Sequence, residues 1–183
     1  MSRLPIPASI VTAPAAAQPM LEAVKKQLGS VPNLFRLVAN SPAALEGYLG
    51  LNAALAKGAL DARTRERIAL AVAEINGCSY CLSAHTYLGK NVAKLDDAEL
   101  AANRHGMSND PQADAAVRFA VKVTNNRGHV TDADLSAVRM AGYSDAQIIE
   151  IVLHVSLNTL TNYVNEVAKT EIDFPVVQAR SAA

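Results

Sequence analysis

Helix start and stop signals recur along this chain so regularly that they leave little room for a sheet. Pro19 stands where a first helical turn tolerates it, and Gly29 closes that segment. Ser41-Pro42 joins an N-cap to a proline at the first helical position, with Gly58 as the stop. Asp61 can cap a run from Ala62 to Asn76, in which Ile68, Val72 and Ile75 repeat at i, i+4 and i+7, and Gly77 ends it. A further helix then begins at or near Cys78 and runs to about Asn91. Asp96 with Glu99 opens the next, Asp110-Pro111 another that ends near Gly128, and Thr131 with Asp134 one more. Ser144 with Gln147 starts the longest segment, to about Thr170. Composition agrees, since 34 alanines, no tryptophan and only five tyrosines and three phenylalanines favour helices over strands. The expected fold is all-α, with seven or eight helices in one domain over residues 18–175. An extended arm over 1–17 precedes it and a loose tail over 176–183 follows.

Charge narrows the function. Lys plus Arg and Asp plus Glu both total 17, so no net positive field gathers phosphate backbones or acidic lipid, and nucleic acid is a poor partner. A net charge near zero does little to keep copies apart, which favours a homo-oligomer. Met1 to Ala17 holds neither the apolar core of a signal peptide nor a membrane span, so a cytoplasmic protein is expected.

The two cysteines lie three residues apart in Cys78-Ser79-Tyr80-Cys81, too close for a disulfide framework. On a helix, Cys78, Cys81 and His85 share one face. A separation of i, i+3 puts the two Cα atoms roughly 5 Å apart, within disulfide reach. Past Gly77, both sulfurs fall in the first turn, where free N–H groups and the helix dipole favour a thiolate. Such a thiolate can attack a hydroperoxide, and the sulfenic acid formed can condense with the second thiol. Zinc ligation and inert burial are the competing readings. A structural zinc site needs four ligands, however, and His105, His129 and His154 stand apart from the pair. His154, in the apolar run from Ile151 to Leu157, reads as a hydrogen-bonded core histidine. Glu74 is a second carboxylate near the same helix end.

Glu66, eleven residues, C-x-x-C, three residues and His85 together resemble the core motif of the AhpD-like alkylhydroperoxidases within the carboxymuconolactone decarboxylase family. The runs Val31-Pro32-Asn33-Leu34-Phe35-Arg36 and Asn40-Ser41-Pro42-Ala43-Ala44-Leu45 are similar to its peroxidase-related branch. The resemblance covers about residues 20–172. It implies an AhpD-like helical bundle that assembles as a homo-oligomer, a trimer or hexamer with a dimer as the smaller alternative. Cys81 would be the peroxidatic nucleophile, Cys78 the resolving thiol, His85 the base, and Glu66 the carboxylate anchoring the relay. Tyr80 stands where the best-known peroxidase of the family has a histidine, and a phenol can donate a hydrogen bond there but cannot serve as base at neutral pH. No cofactor or metal is called for. The implied partners are a small hydroperoxide and an external thiol reductant. The rivals are a general thiol-disulfide oxidoreductase, a lactone decarboxylase-like enzyme and a metal-binding or interaction protein.

An internal echo is also present. Laying Glu66 on Glu150 sets Ile68 opposite Val152, Cys78 opposite Asn162, Cys81 opposite Asn165 and His85 opposite Lys169. It suggests a degenerate duplication of one helical hairpin.

Overall fold

The computed structural model describes residues 2–180, so Met1 of the arm and residues 181–183 of the tail lie outside the described residues. Within that range the chain forms nine α-helices and no strand. They are α1 (Gln18–Leu28), α2 (Asn33–Val38), α3 (Pro42–Leu55), α4 (Ala62–Ile75), α5 (Ser79–Asn91), α6 (Asp97–Arg104), α7 (Pro111–Asn125), α8 (Asp132–Met140) and α9 (Asp145–Ala168). The caps read from sequence form. Ser41, Asp61, Asp96, Asp110, Thr131 and Ser144 each accept a backbone N–H through the side chain. Each such cap stabilises by about 1 kcal/mol.

Helix α4 is the wall around which the rest packs. Ile68 and Val72 bury into a core shared with α7, α8 and α9, through Ala120, Val138 and Ile151. Leu70 and Ala73 bury into a second core with Leu21, Leu45 and Leu82. Because α4 is apolar on both sides, its polar groups must find partners. Arg67 is buried and donates to Glu99 at 2.6 Å, and Glu99 also accepts from Asn103, Ser108 and the Asn109 amide.

Four expectations need correction. The ninth helix, α2, was not anticipated because no side chain caps it locally. Its first amides are instead satisfied from afar, Asn33 N by Asp173 at 2.7 Å and Leu34 N by the Tyr80 hydroxyl at 3.0 Å. The arm is not continuously extended: it winds into 3-10 turns at Ile10–Thr12 and Ala15–Ala17. It is also tied down, with Asn40 donating to Pro5 O and Arg36 to Pro7 O and Ala8 O. The tail over 176–180 is not loose, since Val177 N and Ala179 N donate to Ser83 and Ser79, and Arg180 bonds Glu74. Finally, the internal echo is not matched helix for helix. Residues 66–85 break at 76–78, whereas 150–168 is one unbroken helix. The matched glutamates also differ in task, because Glu150 caps the α3–α4 loop through Ala59 N and Leu60 N.

Candidate active site

The α4–α5 junction places the cysteines. Gly77 adopts φ +68°, a left-handed conformation that costs glycine little. Gly77 N then donates to Glu74 O, and Cys78 N to Ala73 O, the paired bonds of a Schellman stop. Cys78 thereby finishes α4 and also caps α5: its Sγ accepts from Cys81 N at 3.2 Å. Sulfur does here what a serine or aspartate oxygen usually does, and the cap binds the two cysteines into one turn. Both are closed to solvent, Cys78 at 0% and Cys81 at 3% exposure.

His85 and Glu66 meet across α5 and α4. His85 Nδ1 lies 2.9 Å from Glu66 Oε2, and both side chains are partly open to solvent. Burial lowers the His85 pKa, but the carboxylate and the neighbouring thiolate outweigh it and raise the value above its ordinary one. The cysteines are driven in opposite directions. A hydrogen bond from the Cys78 thiol, opposed by burial and helped by the His85 charge and the Asn165 and Asn162 amides, holds Cys81 down at about 7. The same bond, burial and the Cys81 charge push Cys78 up. The turn therefore biases Cys81 toward the thiolate and Cys78 toward the thiol.

The other sequence-read residues fall elsewhere. Tyr80, expected among the catalytic groups, donates from its hydroxyl to Asp173 at 2.9 Å and accepts from Leu34 N. Burial drives its pKa up, and with both hydrogen-bonding roles used the phenol joins α2 to the 171–180 segment rather than serving the thiols. Glu74 is taken by Arg104 at 2.6 Å and by Arg180, so it is not a second site carboxylate. His154 is buried as expected, but its Nε2 lacks the expected hydrogen-bond partner, and burial with nearby Arg65 lowers its pKa to about 4. Among the described residues no group of three or more His, Cys, Asp or Glu is placed to hold a metal ion.

Three residues at the site had no role assigned from sequence. Asn165 Nδ2 donates to Cys81 Sγ at 3.3 Å. Asn162 sits one turn before it, its Oδ1 accepting from Asn76 Nδ2. Tyr48, from α3, is pushed up in pKa by burial and then by the charges of Cys81 and Glu66, which puts its hydroxyl in their field. The only signal for the asparagines was their alignment with the cysteines in the internal echo. An open cleft of about 300 Å³ at the start of α5, lined by Gly77, Ser79, Tyr80, Asn165, Lys169 and Thr170, adjoins the turn.

Fold and site define a helical dithiol protein in which a Glu-His pair lies near two cysteines of a single turn. The model of the carboxymuconolactone decarboxylase family matches residues 42–122. A peroxidase-related protein from Ralstonia eutropha, solved as an alkylhydroperoxidase AhpD core, is 25% identical with a TM-score of 0.84, covering 94% of this chain and 92% of that one. The debrominase Bmp8, solved in complex with 2,3,4-tribromopyrrole, has a TM-score of 0.75 over 92% of this chain and 90% of its own. At 18% identity that likeness is one of fold. An uncharacterized Haemophilus influenzae protein is 46% identical over 63 residues, 34% of this chain and 50% of its own, so the match spans half the length of that relative. The match over residues 42–122 and the shared architecture make the chain similar to the AhpD/carboxymuconolactone decarboxylase family.

Proposed function

We propose that the chain is a thiol-dependent peroxidase that reduces small hydroperoxides through a Cys78/Cys81 dithiol-disulfide cycle. The observation that carries this reading is the chain of groups Glu66, His85, Cys81 and Cys78, in which Cys81 is held down at about 7 and Cys78 is pushed up. Cys81 thiolate attacks the distal peroxide oxygen, and the O–O bond breaks. The departing alkoxide takes a proton from the His85 imidazolium, which Glu66 keeps charged. Cys78, still protonated and in the same turn, condenses with the sulfenic acid and releases water. Two electrons from an external thiol reductant then reopen the disulfide. Such a reductant pool fits a cytoplasmic setting. A homo-oligomer is part of the proposal, supported by apolar residues left exposed along α9: Ile149, Leu153, Leu160, Tyr163 and Val167. Cys81→Ser is expected to abolish hydroperoxide-dependent oxidation of a dithiol reductant, and undiminished turnover would reject the assignment.

One observation favours a second reading, thiol-disulfide exchange without peroxide. The Tyr80 hydroxyl is committed to Leu34 and Asp173, so no second proton carrier stands between the cysteines. Reduction of a model disulfide by a protein that leaves hydroperoxides untouched would select it.

A further inference from the structure

Helix α9 brings two carboxamides to the Cys81 sulfur, and the surrounding protein leaves one polar atom of each without a partner. Asn165 Nδ2 donates to Cys81 Sγ at 3.3 Å, while Oδ1 of the same amide has no partner. Asn162 Oδ1 accepts from Asn76 Nδ2 at 2.9 Å, which fixes the amide's orientation, and its own Nδ2 has no partner. Both side chains are shut from solvent, Asn162 at 0% and Asn165 at 2% exposure. A buried donor or acceptor without a partner carries a substantial desolvation penalty. Two of them, of opposite polarity, at one sulfur call for a compensating role.

We propose that Asn162 and Asn165 form a carboxamide clamp that holds the Cys81 sulfur as thiolate and then receives the oxygen transferred to it. The first half concerns the sulfur alone, and the second rests on the peroxidase reading. For the thiolate, amide N–H groups are charge-assisted donors, stronger than the same groups facing a thiol. Both amides act in this direction on Cys81, behind the Cys78 thiol and the His85 charge. When the sulfur attacks a hydroperoxide it gives two electrons to the O–O bond, the alkoxide leaves as alcohol with the His85 proton, and a sulfur-oxygen bond forms. A sulfenic acid both accepts and donates. Its oxygen can accept from Asn162 Nδ2 and its hydroxyl can donate to Asn165 Oδ1, the two atoms the resting protein leaves unpaired. Cys78 then displaces that oxygen as water. Held so, the sulfenic acid is kept oriented until the disulfide closes. In this reading Asn165 touches the reacting sulfur and Asn162 the oxygen transferred to it, so both are catalytic residues.

The test is the pH profile of iodoacetamide alkylation at Cys81 in the full chain, with the label located by mass spectrometry. Asn165→Leu keeps the size and removes the donor without introducing a charge. Its alkylation midpoint is expected to rise by about one unit or more, which cuts the rate at pH 7 about fivefold. Asn162→Leu, at an independent position, is expected to shift the same way and serves if the first variant fails to fold. A polar filler between helices would alter melting temperature alone, so midpoints that stay with the native protein overturn the clamp. Dimedone trapping after one equivalent of cumene hydroperoxide reads the second half. Shifted midpoints with no peroxide-dependent oxidation of the native protein keep the thiolate clamp and overturn the oxygen cradle together with the peroxidase reading. Peroxide-dependent disulfide formation with unshifted midpoints overturns the clamp and leaves the peroxidase reading standing.

Discussion

Glu66 acts on Cys81 only through His85, and this indirect route can be tested by pH. The carboxylate raises the His85 pKa, and the charged imidazole in turn helps to lower that of Cys81. In Glu66→Gln the imidazole is expected to lose its proton at a lower pH, so Cys81 loses an opposite charge and its own pKa rises. Thiolate is the deprotonated form. Alkylation of the native protein should therefore climb through about pH 7, and that of the variant through a higher pH. The two rates are expected to differ several-fold at neutrality and to converge in alkali. Coincident profiles would show that the pair does not reach the sulfur. At this scale the sequence was largely legible for Cys78, Cys81 and His85, because their spacing follows helical geometry around a glycine stop, whereas Glu66 was legible only through the family motif. It was not legible for Asn165, whose contact with Cys81 spans 84 positions and depends on how α9 crosses α5. Nor was it for Tyr80, whose two partners, Leu34 and Asp173, come from opposite ends of the chain.

Among the elements, α5 is held in place by segments far from it in sequence. The 171–180 stretch crosses it through Asp173 to Tyr80, Val177 to Ser83 and Ala179 to Ser79, while Phe174 packs edge-on against the Tyr80 ring at 5.9 Å. Removing the Tyr80 hydroxyl strands the Leu34 N–H and an Asp173 oxygen. Tyr80→Phe is expected to lose about 1–3 kcal/mol of unfolding free energy in urea titration, with the Cys81 alkylation midpoint unchanged. A displaced midpoint at native stability would instead restore the phenol to the chemistry. Helix boundaries were readable wherever the cap is local, as at Asp61, Asp110 and Ser144. They failed at α2, whose amides are satisfied by Asp173 and Tyr80, and at 176–180, whose order comes from Ser79, Ser83 and Glu74. Apolar periodicity reports a helix's buried face but is silent about a cap supplied from more than a hundred residues away.

The whole molecule leaves a row of large apolar side chains on α9 facing outward, from Ile149 at 60% exposure to Val167 at 66%. The opposite face of the same helix carries Asn162 and Asn165 to the site, so a second copy covering the row, as proposed, would also steady the sulfur. Leu160→Glu combined with Val167→Glu is expected to reduce a native homo-oligomer to its 19.3 kDa protomer in sedimentation velocity. A native protein that already sediments as that protomer would remove the oligomer from the account. The central claim is narrower: two thiols in one turn take up the oxidising equivalents of one peroxide between them. Free thiols titrated before and after one equivalent of hydroperoxide, with peptide mass spectrometry locating any linkage, test it directly. The account predicts that both thiols disappear together into a single Cys78–Cys81 bridge; retention of both would contradict it.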